Sequence, residues 1–219
     1  MSSTNRGSER SPADFYPTPG WCVERLLEHP AFRREVRMED WSRRPLWLEP
    51  GAGEGAIILA VNQALLGGAP LWTAVDIRPE VKPSLDRLCE AALLRDIVRD
   101  GLPAGPWDLV IGNPPFREAQ AFIEKSLMVC DSVVFLLRLA YLSSGKRAPF
   151  MRANPPDVYV LPDRPSFNGV GVDSADYGWF HWHGQTEGRL FVLENTPAEQ
   201  RRPRTFIRDR CGVTLGGER

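Results

Sequence analysis

The chain has 219 residues, 42% of them hydrophobic and 25% charged, and a formal net charge of −1 at pH 7. That fits one globular domain with a sizeable core and leaves little room for a second. A near-zero charge does not mark a polyanion binder, no apolar run approaches a membrane span, and the polar start from Met1 to Ser11 lacks the apolar stretch of a secretion signal.

In chain order, residues 1–13, rich in Ser, Arg and Glu, read as disordered. Trp21 to Leu27 predicts a short helix, and an Arg-rich stretch from Phe32 to Arg44 leads away from it. Leu46 to Glu49 predicts a strand ending at a Gly turn, and Ala56 to Leu66 a helix stopped by Gly67-Gly68. Leu71 to Val75 predicts a buried strand closed by Asp76. Val81 to Ala92 reads as helical, with Leu93-Leu94 a brief strand before Asp96. Leu109 to Ile111 forms the next strand, cut off by Asn113-Pro114-Pro115; Glu118 to Val129 reads as an amphipathic helix and Ser132 to Leu137 as a fifth strand. This alternation predicts an α/β fold with a Rossmann-like, mostly parallel sheet covered by helices on both faces. Val158 to Leu161, Trp179 to Trp182 and Leu190 to Leu193 follow without long helices between them and read as a strand plus an antiparallel hairpin at one edge.

Charge is unevenly placed. Arg138, Lys146, Arg147 and Arg152 occur with no acid among them, and from Arg201 to Arg210 five arginines face only Asp209. Such patches either supply phosphate contacts to a polyanion or form a solvated surface. The four cysteines, Cys22, Cys89, Cys130 and Cys211, form no CxxC pair, which reads as reduced thiols in a cytoplasmic protein.

The turn Leu48-Glu49-Pro50-Gly51-Ala52-Gly53-Glu54-Gly55 lies between a predicted strand and a predicted helix. Its glycines let the backbone approach a ligand, and Asp76 at the end of the next strand can accept both hydrogen bonds of a ribose diol. The spacing is not that of dinucleotide enzymes, and Glu49 would repel a pyrophosphate. An acid beside the turn suits a nucleoside carrying an amino-acid ammonium group, as S-adenosylmethionine does.

Asp108-Leu-Val-Ile-Gly-Asn113-Pro114-Pro115-Phe116 is the most informative stretch. Two prolines hold the Asn113 side chain rigidly at a strand's carboxyl end. Its amide oxygen and the Pro114 carbonyl offer two acceptors aimed at one point, where an amine with two hydrogens fits. The exocyclic amine of a base is a poor nucleophile because its lone pair is delocalised; two acceptors favour localisation as charge develops. Phe116 can stack on the base.

With the preceding Glu-Pro-Gly-Ala-Gly-Glu-Gly turn, this Asn-Pro-Pro-Phe segment resembles the amino-methyltransferases of DNA, particularly the bacterial and phage N6-adenine enzymes. Asp14-Phe15-Tyr16-Pro17-Thr18-Pro19 resembles the family's N-terminal cofactor motif, Asp96 stands where the family contacts the cofactor's adenine amine, and Arg164-Pro165-Ser166-Phe167 resembles the segment whose ring packs on the flipped target base. The run from Asp173 to Phe180 also resembles phage members, and the likeness extends from Asp14 to Asn195.

The resemblance implies a class I methyltransferase domain over 14–195, an Arg-rich tail over 196–219, and S-adenosylmethionine as cofactor. The cofactor set is then Tyr16, Thr18, Pro19, Glu49, Gly51, Gly53, Asp76, Ile77, Asp96 and Asn113. Asn113, Pro114, Pro115 and Phe116 form the catalytic turn. The expected partner is DNA, duplex or single-stranded, with the base flipped between Phe116 and Phe167 and flanking phosphates on Lys146, Arg147 and Arg152. Little chain follows Phe167 to read a target sequence, so relaxed specificity, a partner or an RNA substrate stays open. Cytosine N4, the glutamine amide of a protein, and non-catalytic binding are the alternatives. His181 and His183, lacking a third ligand nearby, read as structural, so no metal is expected; Trp179, Trp182 and Cys22 read as core.

Overall fold

The computed structural model describes residues 17–167, 171–184 and 187–201, and the backbone of 207–209 and 212–214. Tyr16, with Asp14 and Phe15 before it, lies outside the described residues, as do residues 1–13, Arg202, Arg204 and Arg210 and the side chain of Arg208.

Eight strands form one sheet: β1 (Leu46–Pro50), β2 (Leu71–Asp76), β3 (Ala91–Leu94), β4 (Leu109–Gly112), β5 (Ser132–Arg138), β6 (Asp157–Val160), β7 (Tyr177–His183) and β8 (Leu190–Val192), in the order β3-β2-β1-β4-β5-β7-β6-β8. β9 (Ile207–Asp209) and β10 (Gly212–Thr214) pair separately. The strands from β3 to β5 are parallel, and the connections between them carry helices, as the alternating pattern predicts.

The period-2 burial of the strands divides the core in two. Trp47, Trp72, Ala74, Leu109, Ile111, Leu136 and Trp179 face one side, against α1 (Gly20–Glu28), α2 (Pro30–Glu35) and α3 (Ala56–Ala64). Their alternates Leu48, Val75, Val110, Phe135, Phe180 and Trp182 face the other, against α5 (Ile97–Asp100) and α6 (Ala119–Leu127). Large rings set the first layer. Trp47 lies opposite Trp72 in the β1–β2 ladder with centroids 5.4 Å apart, and the indole of Trp179 donates to the Cys22 carbonyl at 2.9 Å.

Two expectations are corrected. The segment from Val81 to Ala92 is not one helix: a single turn, α4 (Lys82–Leu85), follows a 3-10 turn at Pro79–Val81, and Ala91 and Ala92 pair with Thr73 and Ala74 as the start of β3. Ladder pairing at the sheet edge overrides the weak helical preference of two alanines. The antiparallel element is also not an edge hairpin of β7 with β8. β7 is inserted antiparallel between β5 and β6, so both its edges are taken, and β8 pairs parallel with β6 instead. A further helix, α7 (Ala148–Ala153), follows β5 after a 3-10 turn at Leu139–Leu142.

Gly55, the residue before α3, has φ +82°, and a Cβ there would stand 2.7 Å from Leu88 Cδ1. Gly55→Ala should lower the unfolding free energy by about 1–2 kcal/mol, measured by urea denaturation; an unchanged midpoint would mean that the helix start tolerates a side chain.

Candidate functional site

The chemistry-bearing residues gather at the carboxyl ends of the parallel strands, where open α/β sheets place ligands. After β1 the chain turns through Gly51, Gly53 and Gly55, all at positive φ. The amides of Gly51 and Ala52 both donate to the Val75 carbonyl, at 2.7 and 3.1 Å, and Gly53 donates to Asp76 Oδ2 at 2.8 Å. The turn is thereby stitched to the end of β2.

Glu49, on the last turn-facing stretch of β1, is 2% exposed. Burial raises its carboxyl well above the ordinary carboxylate range; the Ile58 amide opposes this and the nearby charge of Asp76 adds to it. Its Oε2 has no hydrogen-bond partner among the described residues. A buried acceptor left unmet costs free energy, and an ammonium group is the donor that would meet it and favour its charged form.

Asp76 carries more than the sequence implied. Oδ1 accepts from the Arg78 amide at 2.9 Å and from Arg78 Nε at 3.0 Å, while Oδ2 accepts from Gly53 and from Arg78 Nη2 at 3.1 Å. A ribose diol would have to share these oxygens with the guanidinium or displace it. Ile77 beside it is 61% exposed, an apolar side chain at the strand end that a flat ring can cover. Asp96 caps α5, with Oδ1 accepting from the Arg99 amide at 3.1 Å.

The Asn-Pro-Pro-Phe turn follows β4 beside these groups. A Cβ at Gly51 would stand 3.2 Å from Phe122 of α6 and 4.0 Å from Pro115, so the two turns are neighbours. Asn113 Nδ2 donates to Thr18 Oγ1 at 3.1 Å, a contact across 95 positions that ties the residues before α1 to the end of β4. Thr18 is buried, and Pro19 accepts from the Cys22 amide at 3.0 Å as α1 begins.

Phe116 and Phe167 are brought to the same region but meet through a third ring. Tyr177, at the start of β7, lies 6.1 Å from Phe116 and 5.1 Å from Phe167, centroid to centroid. Over the Phe116 ring, 4.3 Å from its centroid, sits the Arg138 guanidinium. Arg138 Nε donates to the Tyr177 hydroxyl at 3.1 Å, and that hydroxyl donates to Asp173 Oδ2 at 2.9 Å. Sequence reasoning left Arg138, Asp173 and Tyr177 out of the site. The available signal was a charge closing the apolar run Val133 to Leu137, with no local pattern to name its partners.

Lys146 and Arg152 are exposed on the segment after β5, free of any element's core. Arg147 is committed within the chain: its Nε donates to the Tyr141 carbonyl at 3.0 Å and its guanidinium lies 4.1 Å from the Tyr141 ring centroid.

The opposite end of the sheet holds a groove of about 540 Å³ lined by Glu35, Trp41, Asp108, Asp131 and His183, among others. Several of its charges are paired within the chain: Arg43 binds Asp108 and Arg189 binds Glu35. His183 Nε2 meets Asp157 at 3.0 Å and His181 Nε2 meets Ser132 Oγ at 2.9 Å, so both histidines bind protein groups. Among the described residues, no group of three or more His, Cys, Asp or Glu stands where it could hold a metal, and no helix is long and apolar enough to cross a membrane.

No protein-family profile matches the chain, and no curated protein matches it in sequence. Solved structures do share its fold. A candidate RNA methyltransferase from Pyrococcus horikoshii superposes with a TM-score of 0.58 at 18% identity, over 81% of this chain and 88% of that one. A candidate class I S-adenosylmethionine-dependent methyltransferase from Listeria monocytogenes superposes with a TM-score of 0.51 at 16% identity, over 80% of this chain. The match spans 62% of the Listeria protein's length. The architecture is the Rossmann-like fold of class I methyltransferases.

The Glu49 carboxyl holds its proton more tightly folded than unfolded, so its contribution to stability is largest at low pH and declines as pH rises past the ordinary carboxylate value of about 4.3. Glu49→Gln should flatten that decline between pH 5 and 7 and leave the thermal midpoint at pH 7 equal to or above wild type, read by scanning calorimetry. A wild-type profile as flat as the variant's would show that Glu49 ionises freely in the folded chain.

Proposed function

We propose that this chain transfers a methyl group from S-adenosylmethionine to the N6 amine of adenine in DNA, with the base taken out of the helix. The observation that carries the reading is the meeting of three features at the carboxyl ends of β1 and β4: the rigid Asn113 amide held by Thr18, the Gly51–Gly55 turn, and the buried carboxyl oxygen of Glu49, unmet among the described residues. The residues present fit the cofactor. Glu49 would hold its ammonium group, Asp76 its ribose at the expense of Arg78, Ile77 a face of its adenine and Asp96 the adenine amine, with Thr18 and Pro19 beside the methionine end. When bound, the cofactor supplies an electrophilic methyl group on a sulfonium that departs as a neutral thioether.

The chain's own groups do the rest. Thr18 Oγ1 takes the Asn113 Nδ2 hydrogen bond, which turns Oδ1 to the other side of the amide. That oxygen and the Pro114 carbonyl accept the two amine hydrogens and favour a localised lone pair on nitrogen. The amine nitrogen gains the methyl group and then loses a proton to water. The proton becomes acidic only after transfer, so no strong base is required. Phe116 stacks on the base, and the exposed Lys146 and Arg152 hold flanking phosphates.

RNA adenine is the second reading, favoured by the description of the Pyrococcus horikoshii protein as a candidate RNA methyltransferase.

Methyl transfer from labelled S-adenosylmethionine to matched unmethylated duplex DNA, single-stranded DNA and RNA, followed by digestion to nucleosides and mass identification, tests both. N6-methyladenine is expected in DNA, with Asn113→Ala lowering the rate by about 10²-fold or more while cofactor affinity stays within about threefold. Label in RNA alone would replace the substrate and keep the chemistry. No label in any of the three, despite cofactor binding, would overturn the nucleic-acid reading.

A further inference from the structure

We infer that Arg138 is a positioning residue for the base site, fixing the Phe116 ring, with Asp173 and Tyr177 holding the guanidinium in place. The inference rests on reading Asn113 to Phe116 as the base site.

Arg138 ends β5, and its side chain is 45% exposed, yet the guanidinium folds back over the Phe116 ring at 4.3 Å instead of extending into water. Nε donates to the Tyr177 hydroxyl at 3.1 Å, Nη2 lies 3.6 Å from Asp173 Oδ2, and the Tyr177 hydroxyl donates to the same carboxylate oxygen at 2.9 Å. Asp173 is itself fixed, because Oδ1 accepts from the Ala175 amide at 2.9 Å and its own amide donates to the Pro165 carbonyl at 2.8 Å. The chain runs from a loop through a buried tyrosine and an arginine to one aromatic face.

A phenylalanine ring on a surface turn otherwise samples several orientations. A cation over the ring, attracted by its negative π cloud, pins it. Tyr177 also touches Phe167, so one residue lies against both rings that the sequence assigned to the base. The aspartate has a second consequence. Methyl transfer moves positive charge from sulfur to the amine nitrogen, and an uncompensated guanidinium near the base would oppose that movement. Asp173 offsets it.

The test is steady-state transfer to the nucleic acid that wild type methylates, for Arg138→Ala, Arg138→Lys, Asp173→Asn and Tyr177→Phe. Thermal midpoint and calorimetric affinity for S-adenosylmethionine are measured alongside. Arg138→Ala should lower kcat by about 10-fold with KM for nucleic acid changed less than about threefold, and with midpoint and cofactor affinity unchanged. Arg138→Lys, which keeps a cation over the ring, should recover most of kcat. Asp173→Asn should lower kcat, and Tyr177→Phe, which removes one oxygen and keeps the ring, should do so by a few-fold; both remain informative if Arg138→Ala does not fold. An unchanged kcat in Arg138→Ala, a change in KM alone (the mark of a phosphate contact) or losses that track a lower midpoint would each overturn the inference. Wild type that methylates neither DNA nor RNA would bring down the underlying reading, a result distinct from active wild type with an indifferent Arg138.

Discussion

The parallel pairing of β1 with β4, Trp47 opposite Leu109 and Leu48 opposite Val110, is the constraint on which the candidate site depends. It sets the end of β1 level with the end of β4, so that the Gly51–Gly55 turn and the Asn113–Phe116 turn emerge side by side. The approach is close enough that a Cβ at Gly112 would stand 3.1 Å from the Pro50 carbonyl oxygen and 3.1 Å from Phe135. Any side chain there would drive the two turns apart. The register is held from both faces of the sheet. Slipping β1 by one residue would send the Trp47 indole to the α6 side and Leu48 to the Trp72 side, breaking two cores together.

Polar groups are divided between the two ends of this sheet according to whether the chain satisfies them. At the amino ends of the parallel strands, Asp108 accepts from Arg43 twice and from the Leu46 amide, while the fully buried Asp157 is met by Arg189 and His183. Exposed pairs of the first kind contribute little, but removing a partner from a buried aspartate is costly, so this end anchors β1, β4 and the β6–β7 pair. At the carboxyl ends, Glu49 keeps an oxygen unmet among the described residues, and Asp76 is met by the Arg78 guanidinium. A groove lies at the first end, where Asp108 and Glu35 among its charges are paired within the chain.

What could be read from the residues follows from how far each determinant reaches. The five parallel strands are short apolar runs closed by Gly, Asp or Asn-Pro, and their ends carry the motif residues; that information is local. Ala91 and Ala92 favour a helix by intrinsic propensity, and their pairing with Thr73 and Ala74 depends on a strand some twenty residues earlier. α5 and α7, of four and six residues, are too short to show a helical period. β8 follows β7 closely in sequence, which suggests a hairpin, but β7 is paired on both sides and only β6 has an open edge. In the site, Thr18 was read as a cofactor contact, and its hydroxyl proves to hold Asn113 as well. Arg138 and Tyr177 stand 39 positions apart and share no motif, so their joint hold on Phe116 is visible only once β5 and β7 are paired.

The electrostatics of the two turns suit a reaction in which positive charge travels a short distance and none is created. On the proposed reading, Glu49 lies on the cofactor side, where a permanent ammonium would draw its raised carboxyl back toward the ionised form and recover part of the cost of burying it. On the base side, the Arg138 guanidinium over Phe116 is matched by Asp173. Asn113 and Pro114 contribute dipoles, not charges, so they respond to the growing charge on nitrogen without repelling the cationic donor beforehand. A lysine or a protonated histidine in place of Asn113 would repel the sulfonium before reaction; a carboxylate there would attract it but compete with Glu49 for the ammonium end. A neutral amide, locked by a threonine hydroxyl and two prolines, avoids both penalties and still offers an acceptor where the amine hydrogens must go.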